Sequence, residues 1–256
     1  MFGFYASERL AVLKSRFRVN KHARRMKEIF FAFSRTWNSP SKVLAKKLIS
    51  ANIESVLDIG ANVGQFAIDM RRNGYQNAIY SFEPVAQTFA VLTENSAQDD
   101  NWHALNVAVG ESEGNAQINV SNNSGLSSSF LEMEPIHLNN FPNSISISSE
   151  SVLLTTVDIQ TAALEIEPKT SILKIDTQGY EYHVLKGAAY SLGEFKYCYL
   201  EVSLVQLYKG EKTFFDILDL LQKSNHELIE IFPGVRAKDG SLLQVDILTQ
   251  SKNYRD

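Results

Sequence analysis

The stretch SVLDIGANVGQFAIDMRRNGYQNAIYSFEP, residues 55–84, joins two apolar runs through a glycine turn and a helical segment. The first run reads as a strand, carries Asp58 near its end, and opens into Gly60-Ala61-Asn62-Val63-Gly64. Residues 64–73 read as a helix, and a second strand, AIYSF, ends in Glu83. Strand, glycine turn, helix and strand is the opening unit of a doubly wound sheet. Such sheets bind ligands outside the carboxyl ends of their strands. Glycine permits positive φ and close backbone approach, and a carboxylate ending the second strand can accept two ribose hydroxyls. A nucleoside-like ligand is expected.

The turn is not the dinucleotide fingerprint G-x-G-x-x-G, although an acid 19 residues past Gly64 echoes it. NAD and S-adenosylmethionine both fit that much. Asp58 separates them, because a carboxylate just before the loop would sit close to the pyrophosphate of a dinucleotide. S-adenosylmethionine places an α-ammonium and a sulfonium there instead. Two unit charges about 4 Å apart interact by about 4 kcal/mol at intermediate dielectric, with the sign set by the ligand. No G-x-x-x-x-G-K-[ST] element for a nucleoside triphosphate is present.

Beyond this unit the chain keeps alternating. SKVLAKKLISANI precedes it as a helix; a helix over 85–97 follows Pro84, then the strands WHALNVAV and AQINV. After SILKI (171–175) come a helix at 180–190, the strand YCYLEV, a helix at 211–224, and the strands HELIEIF and LLQVDILT. This succession predicts a mostly parallel sheet with helices on both faces. PGVRAKDGS joins the last two strands as a hairpin, so the final strand is expected to lie antiparallel among parallel ones. Residues 111–150 lapse into Ser, Asn and Gly, and so long a polar segment is read as an insertion, a lid on the substrate side.

Charge divides the chain in two. Residues 1–50 hold 12 Lys and Arg against two acids, while the net charge of the whole is −4. Leu10, Leu13 and Phe17, then Met26, Phe30, Phe33 and Trp37, fall at helical spacing. Residues 1–40 are therefore expected to be a basic amphipathic helical extension preceding a domain at 41–256. Such an arm suits an anionic membrane surface. The plainer alternative is that it covers the acidic main domain or makes a dimer contact. Nucleic acid is not expected as a partner, since the acidic remainder would repel phosphates. Cys198 is the single cysteine and cannot form an internal disulfide. Nothing resembles a secretory signal, and the longest apolar run near the start, IFFAF at 29–33, is far short of a membrane span. A cytoplasmic location is expected, with peripheral contact at the inner membrane surface if the arm binds lipid.

VLDIGANVGQFA…IYSFEP, NVAVGESEG, SILKIDTQGYEYHVLKGA, YLEVS, LYKGEKTFFDILDLL and LLQVDIL occur in this order over roughly residues 50–250. Together they resemble the FkbM family of S-adenosylmethionine-dependent methyltransferases. The resemblance implies a class I methyltransferase fold, a Rossmann-like α/β architecture whose seven-stranded sheet has an antiparallel last strand. It also implies methyl transfer to hydroxyl oxygens of sugars, glycans, glycolipid headgroups or polyketide products, with S-adenosylhomocysteine as the other product. Asp58, Gly60, Asn62 and Gly64 would then surround the methionine part, Glu83 the ribose, and Val107 and Ala108 the adenine. Lys174-Ile175-Asp176-Thr177-Gln178-Gly179-Tyr180-Glu181 would face the transferring methyl, with Asp176 at both cofactor and acceptor.

In-line displacement from a sulfonium needs alignment and removal of the acceptor proton. Asp176 is the first choice for the base, with Glu181, Glu201 and His183 as further candidates. His183 follows Glu181 by two and points elsewhere on a helix, where a packing role is the ordinary one. Asp176 and Glu201 end neighbouring strands and could hold Mg²⁺, but two carboxylates do not require a metal. Tyr180, Tyr182 and Tyr208 are candidates for stacking on a sugar ring. Two alternatives stay open: an N-methyltransferase acting on a peptide or protein amide, and a non-catalytic binding module that keeps the fold.

Overall fold

The computed structural model describes residues 39–254; the two amphipathic helices expected within residues 1–40 lie outside the described residues. The main unit spans Leu44–Asp256. In chain order the described elements are helix α1 (Pro40–Ser50), strand β1 (Ser55–Ile59), α2 (Gln65–Arg72), β2 (Ala78–Phe82), α3 (Ala86–Ser96), β3 (Trp102–Leu105), β4 (Ala108–Val109) and β5 (Gly114–Ser121). They continue with α4 (Pro135–Asn140), β6 (Ser146–Thr155), α5 (Val157–Ala163), β7 (Ser171–Ile175), α6 (Glu181–Lys186), β8 (Tyr197–Ser203), α7 (Phe214–Lys223), β9 (His226–Pro233) and β10 (Gln244–Ser251).

Seven strands form one sheet in the order β3-β2-β1-β7-β8-β10-β9. β10 runs antiparallel to both β8 and β9, and the remaining pairs are parallel. The doubly wound sheet with its inverted last strand is therefore as expected. β1 and β7 are buried at every position, which is why they read as continuous apolar runs rather than alternating ones. Leu57, Ile59, Leu173, Ile175, Leu200, Val202 and Ile247 interlock at the centre of the core. α7 starts on a capping box, in which Thr213 and Asp216 satisfy each other's backbone N–H groups.

Two departures from expectation concern the polar insertion. WHALNVAV is not one strand, because β3 stops at Leu105 and the chain crosses to a second sheet at Ala108. Asn106 makes the break: its side chain donates to the carbonyls of Glu83 (2.9 Å) and Pro84 (3.1 Å), which ties the chain to the end of β2. The second sheet has the order β4-β6-β5, and β6 begins within the serine-rich NSISISSE, at Ser146, in the segment read above as a polar insertion. Its alternation of Ser and Ile is a strand period turned outward, with Ile147 64% exposed. Val85, Ala108, Ile118 and Val152 give this small sheet its own core.

Candidate active site

The carboxyl ends of β1, β2, β7 and β8 converge, and the glycine turn starts there. Gly60 has φ +76° and lies so close to β7 that a Cβ on it would come within 1.9 Å of the Asp176 carbonyl. Gly64, at φ +88°, would meet the Trp102 ring at 2.4 Å. Both glycines are thus demanded by neighbouring protein, whatever a ligand requires in addition. The amide of Asn62, itself at φ +50°, donates to Glu83 Oε2 at 3.0 Å, and the Val85 amide donates to Oε1 at 2.9 Å. Turn and second-strand acid are therefore one constructed corner. Burial pushes the Glu83 carboxyl up to about 7, against the pull of those two amides.

Asp58 has no exposed surface. Register partners in a sheet project to the same face, and Asp58 pairs with Ser81 on one side and Lys174 on the other. Ser81 Oγ donates to Asp58 Oδ2 at 3.1 Å and in turn accepts from the Trp102 indole at 3.0 Å. Lys174 Nζ lies 2.8 Å from Asp58 Oδ1, 3.3 Å from the Gly60 carbonyl and 3.9 Å from Asp176 Oδ2. Burial pulls the Lys174 ammonium down, but Asp58, Asp176 and Glu201 together hold it above its ordinary range. The charge argument drawn from Asp58 alone changes accordingly. Asp58 is ion-paired in place with Lys174, to which the sequence analysis gave no separate role, and the same ammonium reaches the Gly60 carbonyl of the loop.

The segment after β7 forms the side expected to face the acceptor. Asp176 keeps 37% of its side chain exposed, next to the glycine turn. Gln178 Nε2 donates to Asp176 Oδ1 (2.8 Å) and to Glu201 Oε2 (3.1 Å), and Gln244 Nε2 donates to the same Glu201 oxygen (2.8 Å). Burial, with Asp176 and Asp246 nearby, raises the Glu201 carboxyl well above the usual range. Asp246 accepts from the Tyr199 hydroxyl at 2.9 Å, and burial raises it to about 6.

Glu181 is differently employed. It is 4% exposed, and its Oε1 accepts from the amides of Thr177 (2.8 Å) and Gly179 (3.2 Å) and from the Thr177 hydroxyl (3.2 Å). That oxygen folds the 177–179 turn; burial raises the carboxyl to about 7. His183 stacks on Tyr180 at 4.3 Å and approaches Glu111 at 3.4 Å, the packing role expected for it. Ala108 is buried in the small core, while Val107 packs half-buried against the large one. Tyr208 is fully buried and gives its hydroxyl to Gln178 Oε1 at 3.0 Å, so it has no face for a sugar ring. Among the described residues, no three or more His, Cys, Asp or Glu side chains gather in a group able to hold a metal ion.

The insertion reaches this site at three points. Asn62 donates to the Ser124 carbonyl (3.4 Å), Ser129 to the Gln178 carbonyl (2.7 Å), and the Ala86 amide to Glu150 (3.0 Å). None of these contacts is legible in the Ser- and Asn-rich sequence.

The chain is similar to several known proteins. A 2-O-methyltransferase, NoeI, of Sinorhizobium fredii is 28% identical over 194 residues, covering 73% of this chain and 77% of that protein. Among solved structures, magnesium protoporphyrin IX methyltransferase from Synechocystis aligns with TM-score 0.46 at 8% identity, covering 83% of this chain and 78% of the other. Precorrin-6y C5,15-methyltransferase from Geobacter metallireducens aligns with TM-score 0.44 at 12% identity, covering 85% and 90%. The model of the methyltransferase FkbM domain matches residues 58–228, from the buried aspartate of the first strand to the start of β9, and takes in Asp58, the glycine turn, Glu83, Lys174, Asp176, Gln178, Glu181 and Glu201. With sheet order, glycine turn and family match in agreement, the chain belongs to the FkbM family of S-adenosylmethionine-dependent methyltransferases.

Proposed function

We propose that the protein transfers the methyl group of S-adenosylmethionine to a hydroxyl of a neutral saccharide or lipid-linked saccharide. The observation that carries this reading is the exposure of Asp176 at the carboxyl end of β7, beside the glycine turn, while Asp58, Glu83 and Glu181 are 0, 6 and 4% exposed. The 2-O-methyltransferase relative supports oxygen as the acceptor atom. The acids Asp176, Glu201 and Asp246 with Lys174 as the cation among them favour a neutral acceptor over a phosphorylated or sulfated one.

In this reading the turn from Gly60 to Gly64 cradles the methionine part and Glu83 receives the ribose hydroxyls. The acceptor oxygen attacks the methyl carbon, the carbon–sulfur bond breaks with its electron pair going to sulfur, and Asp176 takes the hydroxyl proton. S-adenosylhomocysteine remains. Most of the rate comes from alignment, with proton removal contributing about 10²–10⁴-fold. Glu181 shapes the turn that holds Asp176, and Glu201 orients it through Gln178. The insertion at 111–150 covers the acceptor side as a lid. The basic residues 1–40 hold the protein against an anionic membrane surface, where a lipid-linked acceptor would lie. Among the described residues no helix is long and apolar enough to cross a membrane.

The test is incubation with methyl-labelled cofactor and cell-envelope extract, followed by identification of the labelled product. A methyl ether on a saccharide is the expected product; label on a peptide amide, or no transfer by intact protein, contradicts the reading. A second expectation follows from Glu83. A carboxylate accepts both ribose hydroxyls better than a protonated acid does. With the group pushed up to about 7, affinity for S-adenosylhomocysteine should rise as pH goes from 6 to 8. Glu83→Gln should weaken binding at pH 8 and flatten the dependence. Calorimetric titration at several pH values measures both, and a slope that survives in Glu83→Gln would assign it to another group.

A further inference from the structure

Gln178 stands where the acceptor carboxylates, the 177–179 turn and the insertion meet. It has φ +55°, a conformation uncommon for a residue with a side chain, and four directed contacts hold it there. Its amide nitrogen spends one N–H on Asp176 and the other on Glu201, its amide oxygen accepts from Tyr208, and its backbone carbonyl accepts from Ser129. A glutamine amide has two N–H donors, and here both go to carboxylates, so the side chain cannot flip without facing oxygen to oxygen. Gly179 follows at φ +93°, where a Cβ would come within 2.8 Å of the Tyr208 ring.

Both outer contacts belong to the insertion's docking seam. Ser129 pairs its backbone with Asn119 in both directions, at 2.9 and 3.1 Å. Tyr208 lies in the segment that the insertion binds through Met133↔Tyr208, Glu134 N–H to the Leu207 carbonyl (2.8 Å) and Lys209 N–H to the Glu132 carbonyl (2.8 Å). The docked insertion therefore sets Tyr208 and Ser129, these set Gln178, and Gln178 sets the two carboxylates.

We propose that Gln178 is the positioning residue of the acceptor site, fixing Asp176 and Glu201 in a single orientation and making that orientation depend on the docked insertion. This rests on the reading of Asp176 as the group that takes the acceptor proton. A hydrogen bond to an ionised carboxylate stabilises that form, so losing the amide donor makes the buried Glu201 still harder to ionise. The charged and titratable neighbours of the two carboxylates are Lys174 on β7, Tyr199 on β8, Asp246 on β10 and Glu181 on α6. They remain in place in the variants below, so a change reports the amide.

The test is a pH titration of the Glu201 carboxyl carbon by NMR, with S-adenosylhomocysteine bound, in the wild type, Gln178→Ala and Tyr208→Phe. Gln178→Ala should move the Glu201 midpoint further up, because the amide's hydrogen bond is what pulls it down against burial. Tyr208→Phe should move it by less in the same direction, because only the restraint on the amide is lost. Midpoints unmoved in both variants overturn the proposal. Should Gln178→Ala not fold, Tyr208→Phe and Ser129→Ala decide by the same reading. Calorimetry with S-adenosylhomocysteine on the wild type keeps the two questions apart: no binding there sinks the proposed function, whereas binding with unmoved midpoints sinks only the role of Gln178.

Discussion

Lys174→Met should destabilise the folded protein by about 3–5 kcal/mol, the cost of leaving a buried carboxylate without its countercharge. Asp58 has no exposed surface, and its Ser81 hydrogen bond cannot replace an ammonium 2.8 Å away. The companion variant separates this from lost packing. Asp58→Asn together with Lys174→Met removes both charges, so the double variant should be more stable than Lys174→Met alone. Urea unfolding measures this as a change in midpoint at unchanged slope. Simple additivity of the two losses would mean that the pair is not coupled.

The second large effect is catalytic. On the proposed reading, Asp176→Asn keeps the shape and the contact from Gln178 but removes the group that takes the acceptor proton, and kcat/KM for the acceptor should fall by about 10²–10⁴-fold. Affinity for S-adenosylhomocysteine and the unfolding midpoint should change little, since Asp176 is partly exposed and Lys174 retains Asp58 as its closer partner. Glu181→Gln should do the reverse. It loosens the 177–179 turn and lowers the midpoint, because the oxygen that binds two backbone amides loses its charge. If Asp176→Asn were fully active and Glu181→Gln inactive with a stable fold, the assignments would have to be exchanged.

The sheet was legible because its information is local. SVLDI and SILKI are continuous apolar runs of strand length, the glycine turn and Glu83 mark the ends of neighbouring strands, and PGVRAKDGS announces the hairpin that inverts β10. The pairing of Asp58 with Lys174 depends on register between strands 116 residues apart in sequence, which no local pattern specifies. A signal was nonetheless present: a lysine inside a wholly buried strand requires a partner, and Asp58 is the acid in the adjoining one. Glu181 is a related case. Its place in the DTQGYE segment resembles that of an acceptor-side acid, and only its contacts show the carboxylate turned into its own loop. AQINV marked one strand of the small sheet, but β6 escaped notice because its first half is rich in serine, and Asn106 diverts the chain in the middle of what reads as one run.

A crystal structure of the complex with S-adenosylhomocysteine tests the central claim most directly. The expected result has both ribose hydroxyls on Glu83, the homocysteine chain along Gly60–Gly64, and the sulfur facing the open side of Asp176. A ribose bound away from Glu83, or a sulfur shielded from Asp176 by the protein, would contradict it.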